Sequence, residues 1–112
     1  MPTRFRVTVT TQAQEDVQQI HDAIARDKKK AAAKWVRSFH RLARSLAYLP
    51  HRYEVVPEAA DIERLWRQII FGNYRIFYRI DAKRVTVERV VHAARLLDRS
   101  FFKPAAEESA ES

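Results

Sequence analysis

Between Trp66 and Arg95 the chain carries Arg67, Arg75, Arg79, Arg89, His92 and Arg95, with Phe77 and Tyr78 among them. Arginines fork onto phosphates or carboxylates, and aromatic rings stack on bases or on guanidinium planes. Metal-free cleavage of RNA needs three things: a base for the 2′-OH proton, cations for the charge that builds on the phosphate, and an acid for the leaving oxygen. Arg75 and Arg95 are the candidate cations. His92, which titrates near neutrality when unperturbed, is the candidate acid or base. Arg67, Arg79 and Trp66 are candidates for contact with a target or a protein partner. The simpler reading of the same residues is a basic sheet face, solvated or docked on an acidic protein. One basic face is common and a complete catalytic set is not, so the residues alone favour the simpler reading.

Other chemistries have little support. Gly72 is the single glycine, so a glycine-rich phosphate loop is excluded. There is no cysteine, hence no disulfide framework and no thiolate metal site. His21, His40, His51 and His92 are scattered, without the spacing of a metal motif. No cofactor and no metal are expected. No apolar run approaches the roughly 20 residues of a membrane span, and the start of the chain lacks the apolar core of a signal peptide. A cytoplasmic protein without a membrane partner is therefore expected. The formal charge is +7, and Glu107, Glu108 and Glu111 lie at the very end, leaving a net +10 on residues 1–106. A body this basic attracts an acidic partner: nucleic acid, an acidic peptide or an acidic protein face.

These side chains need a scaffold. Arg4–Thr10 alternates, with Phe5, Val7 and Val9 to one side, which predicts a half-buried strand. Thr11 and Gln14 have capping-box spacing, and Ala13, Val17, Ile20 and Ile24 form one stripe, predicting a helix over 12–26. After a charged break at Asp27–Lys30, Trp35, Phe39, Leu42, Leu46 and Leu49 mark a second helix, ended by Pro50. Its other face carries Lys34, Arg37, Arg41 and Arg44. Trp35 and Phe39, at helical spacing, are read as core. The short connection makes the helices an antiparallel hairpin. A long link, His51–Glu63, leads to three strands, 65–71, 74–81 and 85–92. Gly72-Asn73 and Asp81–Arg84 turn the chain between them. Strict alternation puts Tyr74, Ile76, Tyr78 and Ile80 on one face of the middle strand and Arg75, Phe77, Arg79 and Asp81 on the other. In the last strand it sets Val85, Val87, Arg89 and Val91 against Thr86, Glu88, Val90 and His92. Leu96, Leu97, Phe101 and Phe102 are expected to pack back, and 103–112 to form a flexible acidic tail. The expectation is one α+β domain over 1–102, a mainly antiparallel twisted sheet covered by an N-terminal helical hairpin.

Taken together, the basic-aromatic first strand, the helical hairpin, Trp66-Arg67-Gln68-Ile69, Gly72-Asn73-Tyr74-Arg75-Ile76-Phe77-Tyr78-Arg79-Ile80 and Val90-Val91-His92-Ala93-Ala94-Arg95 resemble the RelE/ParE superfamily of toxins. The resemblance covers about residues 4–98 and implies a β-α-α-β-β-β fold. It also implies the toxin of a type II toxin–antitoxin system, which arrests growth until a cognate antitoxin wraps and neutralises it. An acidic, partly disordered antitoxin segment would suit the basic body. RelE-like members cleave mRNA in the ribosomal A site; ParE-like members inhibit DNA gyrase. Arg75 and Arg95 match the two arginines of the RelE pattern. That pattern also has basic residues on the second strand, where Trp66 and Gln68 stand, and a tyrosine after the second arginine, where Phe101 stands and cannot exchange a proton. The YoeB-like variant ends in His-Tyr and uses a glutamate before the second strand. Here His92 precedes Ala93, and Glu63 is the nearest such glutamate. The Val-Val-His-x-x-Arg ending looks ParE-like. The resemblance thus favours a gyrase inhibitor, with a ribosome-dependent endoribonuclease as the alternative and an inactive, purely protein-binding relative as a third reading.

Overall fold

The computed structural model describes residues 3–59 and 65–102. In chain order it has β1 (Arg6–Val9), α1 (Thr11–Ala25), α2 (Lys29–Ser45), β2 (Trp66–Phe71), β3 (Tyr74–Asp81) and β4 (Arg84–His92). Short 3-10 turns at Pro50–Arg52, Pro57–Ala59 and Arg99–Phe101 punctuate the rest. The strands form one sheet in the order β1-β4-β3-β2. β1 lies parallel to β4, while β4, β3 and β2 are mutually antiparallel. This is the α+β architecture that the residue pattern implies. Glu63 and the 103–112 tail lie outside the described residues.

The turn chemistry explains the meander. Phe71 pairs with Tyr74, so Gly72-Asn73 is a two-residue turn. Gly72 has φ +58, and a Cβ there would meet nothing within 4 Å. Glycine is needed for its backbone conformation and not for space. The second turn is less comfortable: Ala82 has φ 54, a left-handed conformation that costs an L-residue about 1–2 kcal/mol.

α1 begins one residue earlier than its capping-box spacing suggests. Thr10, not Thr11, is the N-cap, and its hydroxyl oxygen accepts from the Ala13 N–H at 3.0 Å. The same hydroxyl donates to the Glu88 carbonyl, and the Thr10 N–H donates to the Val87 carbonyl. The cap therefore also sews the start of α1 to β4. Gln14 turns back to the Val9 carbonyl.

The helical hairpin covers one face of the sheet. Phe39 and Ala43 of α2, with Leu46 at its C-cap, pack with Ala13 and Val17 of α1 on Ile69, Ile76, Tyr78, Val85, Val87 and Val90. Trp35 stacks between Phe39 (6.1 Å) and Phe71 (5.6 Å), so these aromatics are core, as their spacing predicts. The Tyr78 hydroxyl donates to the Pro50 carbonyl, and burial pushes its pKa up to about 12.

Two findings depart from the sequence reading. Strict alternation fails in β4. Tyr78 pairs with Val87 but Phe77 pairs with Arg89, so Glu88 is an extra residue, a β-bulge. Val90 therefore joins Val85 and Val87 against the helices, while Arg89 and Val91 fall on the other face. The other face itself is not an open basic surface. Val56 and Ala59 of the link and Phe102 of the C-terminal segment close over Trp66, Phe77 and Val91 to make a second core. The link is fastened to the β2 edge by Val56 N–H to the Trp66 carbonyl (2.8 Å) and Gln68 N–H to the Glu54 carbonyl (3.1 Å). Of the four apolar residues expected to pack back, Phe102 is buried and Leu97 and Phe101 are half-buried. Leu96 is 97% exposed.

Candidate functional site

Arg75 points into the second core. Its Nε donates to Gln68 Oε1 at 2.8 Å, and its two terminal nitrogens grip both Glu58 carboxylate oxygens at 2.9 and 2.8 Å. Its guanidinium carbon lies 4.7 Å from the centre of the Phe77 ring. Gln68 in turn donates to Glu54 at 2.7 Å. β2, β3 and the link are thus tied by one chain, Glu54–Gln68–Arg75–Glu58. The guanidinium holds the Glu58 carboxyl below its ordinary value. A lowered carboxyl pKa stabilises the fold above the ordinary glutamate range, and that contribution is lost as pH falls through the lowered value. The fork that would grip a phosphate is already filled by a carboxylate.

Arg79 is buried still more deeply. Its Nε and a terminal nitrogen lie 2.8 and 2.7 Å from Glu88 Oε2, with side chains 5% and 1% exposed. The β4 bulge supplies this carboxylate: with Glu88 as the extra residue, its side chain falls beneath Arg79. Trp66 is fully buried, with its ring centroid 5.3 Å from Phe102 and 6.5 Å from Phe77. Its indole N–H meets no acceptor among the described residues. Neither Arg79 nor Trp66 is presented for contact, contrary to the expectation from composition, because the link and the C-terminal segment cover that face. Arg67 is half-buried and ties the link down through the His51 and Tyr53 carbonyls.

The proposed nuclease residues are not brought together. His92 faces the helices, edge-on to Tyr74 with ring centroids 5.4 Å apart, whereas Arg75 is on the opposite face. The His92 Nδ1 accepts from the Ala94 N–H at 3.0 Å, which assigns the ring proton to Nε2. Arg95 is exposed, and its guanidinium carbon lies 5.2 Å from the centre of Phe101. Arg89 approaches the same ring at 4.7 Å and is fixed by Asp16 of α1 at 2.8 and 3.2 Å. Phe101 is thus a stacking platform for two arginines. Among the described residues no group of three or more His, Cys, Asp or Glu side chains could hold a metal, and no helix is long and apolar enough to cross a membrane.

The sequence reading missed Glu58, Glu88 and Asp16, the carboxylates that occupy Arg75, Arg79 and Arg89. Glu58 lies 17 residues from Arg75 and Asp16 lies 73 from Arg89, so no spacing rule joins them. Glu88 carries a weak signal: it is the one carboxylate of β4 and is flanked by Val85, Val87, Val90 and Val91, and a carboxylate drawn into a valine-rich strand calls for a buried cation.

Comparison with known proteins agrees with this architecture. Residues 7–97 match the family model described as the ParE toxin of the type II toxin–antitoxin system, parDE. Among solved structures, the chromosomal ParDE toxin–antitoxin system of P. aeruginosa matches with a TM-score of 0.67 at 15% identity, over 80% of this chain and 97% of that one. The archaeal RelE–RelB complex from Pyrococcus horikoshii OT3 matches with a TM-score of 0.59 at 17% identity, over 83% and 99%. The toxin–antitoxin complex RelBE2 from Mycobacterium tuberculosis matches with a TM-score of 0.55 at 24% identity, over 80% and 98%. No curated protein matches the chain.

Proposed function

We propose that this chain, which belongs to the ParE toxin family of type II toxin–antitoxin systems, arrests growth by binding and inhibiting DNA gyrase, without chemistry of its own. The observation that carries this reading is the state of Arg75. The arginine that a superfamily nuclease would aim at phosphate is 8% exposed, and all three of its guanidinium nitrogens are engaged by Glu58 and Gln68. Two further observations support it. His92 stands across the sheet from Arg75. Phe101, with no proton to give, fills the place of the tyrosine.

The same reading includes a cognate antitoxin, as in the toxin–antitoxin complexes whose fold this chain shares. The chemistry of the body asks for an acidic, partly disordered segment, because such a segment folds on binding and its charge complements a basic surface.

The test is a supercoiling assay with purified protein. Gyrase should lose supercoiling activity at near-stoichiometric toxin and recover it when antitoxin is added. Supercoiling untouched at stoichiometric excess would sink the gyrase reading. New 5′ ends on ribosome-bound mRNA, abolished by Arg75→Ala, would replace it with the nuclease.

A further inference from the structure

On the second face of the sheet Arg75, Arg79 and Arg89 are each held by a carboxylate. The cations elsewhere are distributed differently. A groove of about 1080 Å³ opens between β1, the end of α2 and the β3–β4 turn. Arg4, Arg6, Arg44, Lys83 and Arg84 line it, with Asp81 as the one carboxylate among the lining residues. All five cationic side chains are exposed, and none has a side-chain hydrogen bond or ion pair among the described residues. From Arg44 the cations continue along α2 as Arg41, Arg37 and Lys34, all exposed, at helical offsets that keep them on one face. That stripe is ~15 Å long at the rise of an α-helix. Residues 28–53 hold eight Lys and Arg and no Asp or Glu. Self-repulsion of this kind is unfavourable to the isolated fold, and a polyanion relieves it.

We propose that this groove and the α2 stripe form a docking surface for duplex nucleic acid, gripped through its phosphodiester backbone. The inference goes beyond the gyrase reading and does not rest on it. Two features favour a duplex over a single strand. The stripe is straight, rigid and convex, which suits a regular array of phosphates. Single strands are held on aromatic platforms, and the aromatic rings of α2, Trp35 and Phe39, are turned into the core; of the two aromatic residues that line the groove, Phe5 is half-buried and Tyr48 is 46% exposed. A grip on the phosphodiester backbone carries no base readout, so binding is expected to be independent of sequence.

The test is fluorescence anisotropy of the full chain with a labelled mixed-sequence duplex DNA of about 20 base pairs, a length sufficient for one contact surface. Binding should saturate, and four engaged phosphates should give a slope of log K against log salt of about −3.6. Arg41→Glu with Arg44→Glu should weaken binding at least about tenfold and flatten the slope by about 2. Arg41→Gln with Arg44→Gln, which keeps helix propensity, should act in the same direction and serves if the reversed variant fails to fold. Arg26→Glu, at the opposite end of the hairpin, should change binding by less than about threefold. Equal binding of duplex RNA supports a backbone grip. No saturable binding at low salt, the same affinity in the Arg41/Arg44 variants, tighter binding of single-stranded DNA, or equal binding of poly-glutamate of matched charge would each overturn the proposal.

Discussion

Arg79→Ala is expected to cost about 3–5 kcal/mol of folding stability, the effect of breaking a buried ion pair on one side. The guanidinium and the Glu88 carboxylate are both almost fully enclosed. Removing the cation leaves an almost fully buried carboxylate without the guanidinium that offsets its desolvation. A domain of this size has about 5–15 kcal/mol in total, so the urea midpoint should fall steeply. Replacing both members, Arg79→Met with Glu88→Leu, should recover most of the loss, because it removes the desolvation of both charges. The consequence for function is specific. Growth arrest lost in Arg79→Ala would reflect loss of folded protein, so toxicity and abundance must be read together. A stability within about 1 kcal/mol of the parent would contradict the buried geometry.

Trp66→Ala should be about as severe, at about 3–5 kcal/mol, the usual range for emptying a large aromatic site. Its ring is the hub on which Phe77 and Phe102 pack, and the link closes over it. Trp66→Phe should cost much less. It leaves a smaller cavity and removes an indole N–H that has no acceptor among the described residues, which offsets part of the lost packing. If Trp66 were a surface contact, Trp66→Ala would leave unfolding unchanged and act on toxicity alone.

Both residues show where reading a sequence succeeds and where it stops. The faces of β3 follow from its alternation, because a two-residue period admits one answer when Tyr74, Ile76, Tyr78 and Ile80 are all apolar. β4 ends in Val90-Val91, which offers an apolar residue to either face, so the pattern cannot reveal the extra residue at Glu88. Thr10 and Thr11 are equally able to cap a helix, and the choice is made by the bonds from Thr10 to β4. That Arg75 and His92 lie on opposite faces follows from the cross-strand pairs Tyr74–His92 and Arg75–Val91, a register the sequence does not print. The covering of the second face depended on where the irregular link lies, and an irregular segment carries no period. Its charges were visible; the carboxylates that meet them were brought from 17 and 73 residues away by the fold.

Arg75, engaged by Gln68 and Glu58, is expected to act as a strut between the sheet and the link and not as a catalytic cation. The most direct measurement is a double-mutant cycle of Arg75→Ala and Glu58→Ala, read by urea unfolding at neutral and acidic pH. A favourable coupling of about 1–2 kcal/mol is expected at neutral pH, modest because Glu58 is partly exposed. That coupling should fade as pH drops from the ordinary glutamate value of 4.5 through the lowered pKa of Glu58, where the carboxylate takes up its proton. Additive effects at neutral pH, with Arg75→Ala as stable as the parent, would contradict it and return Arg75 to the list of residues free to meet a phosphate.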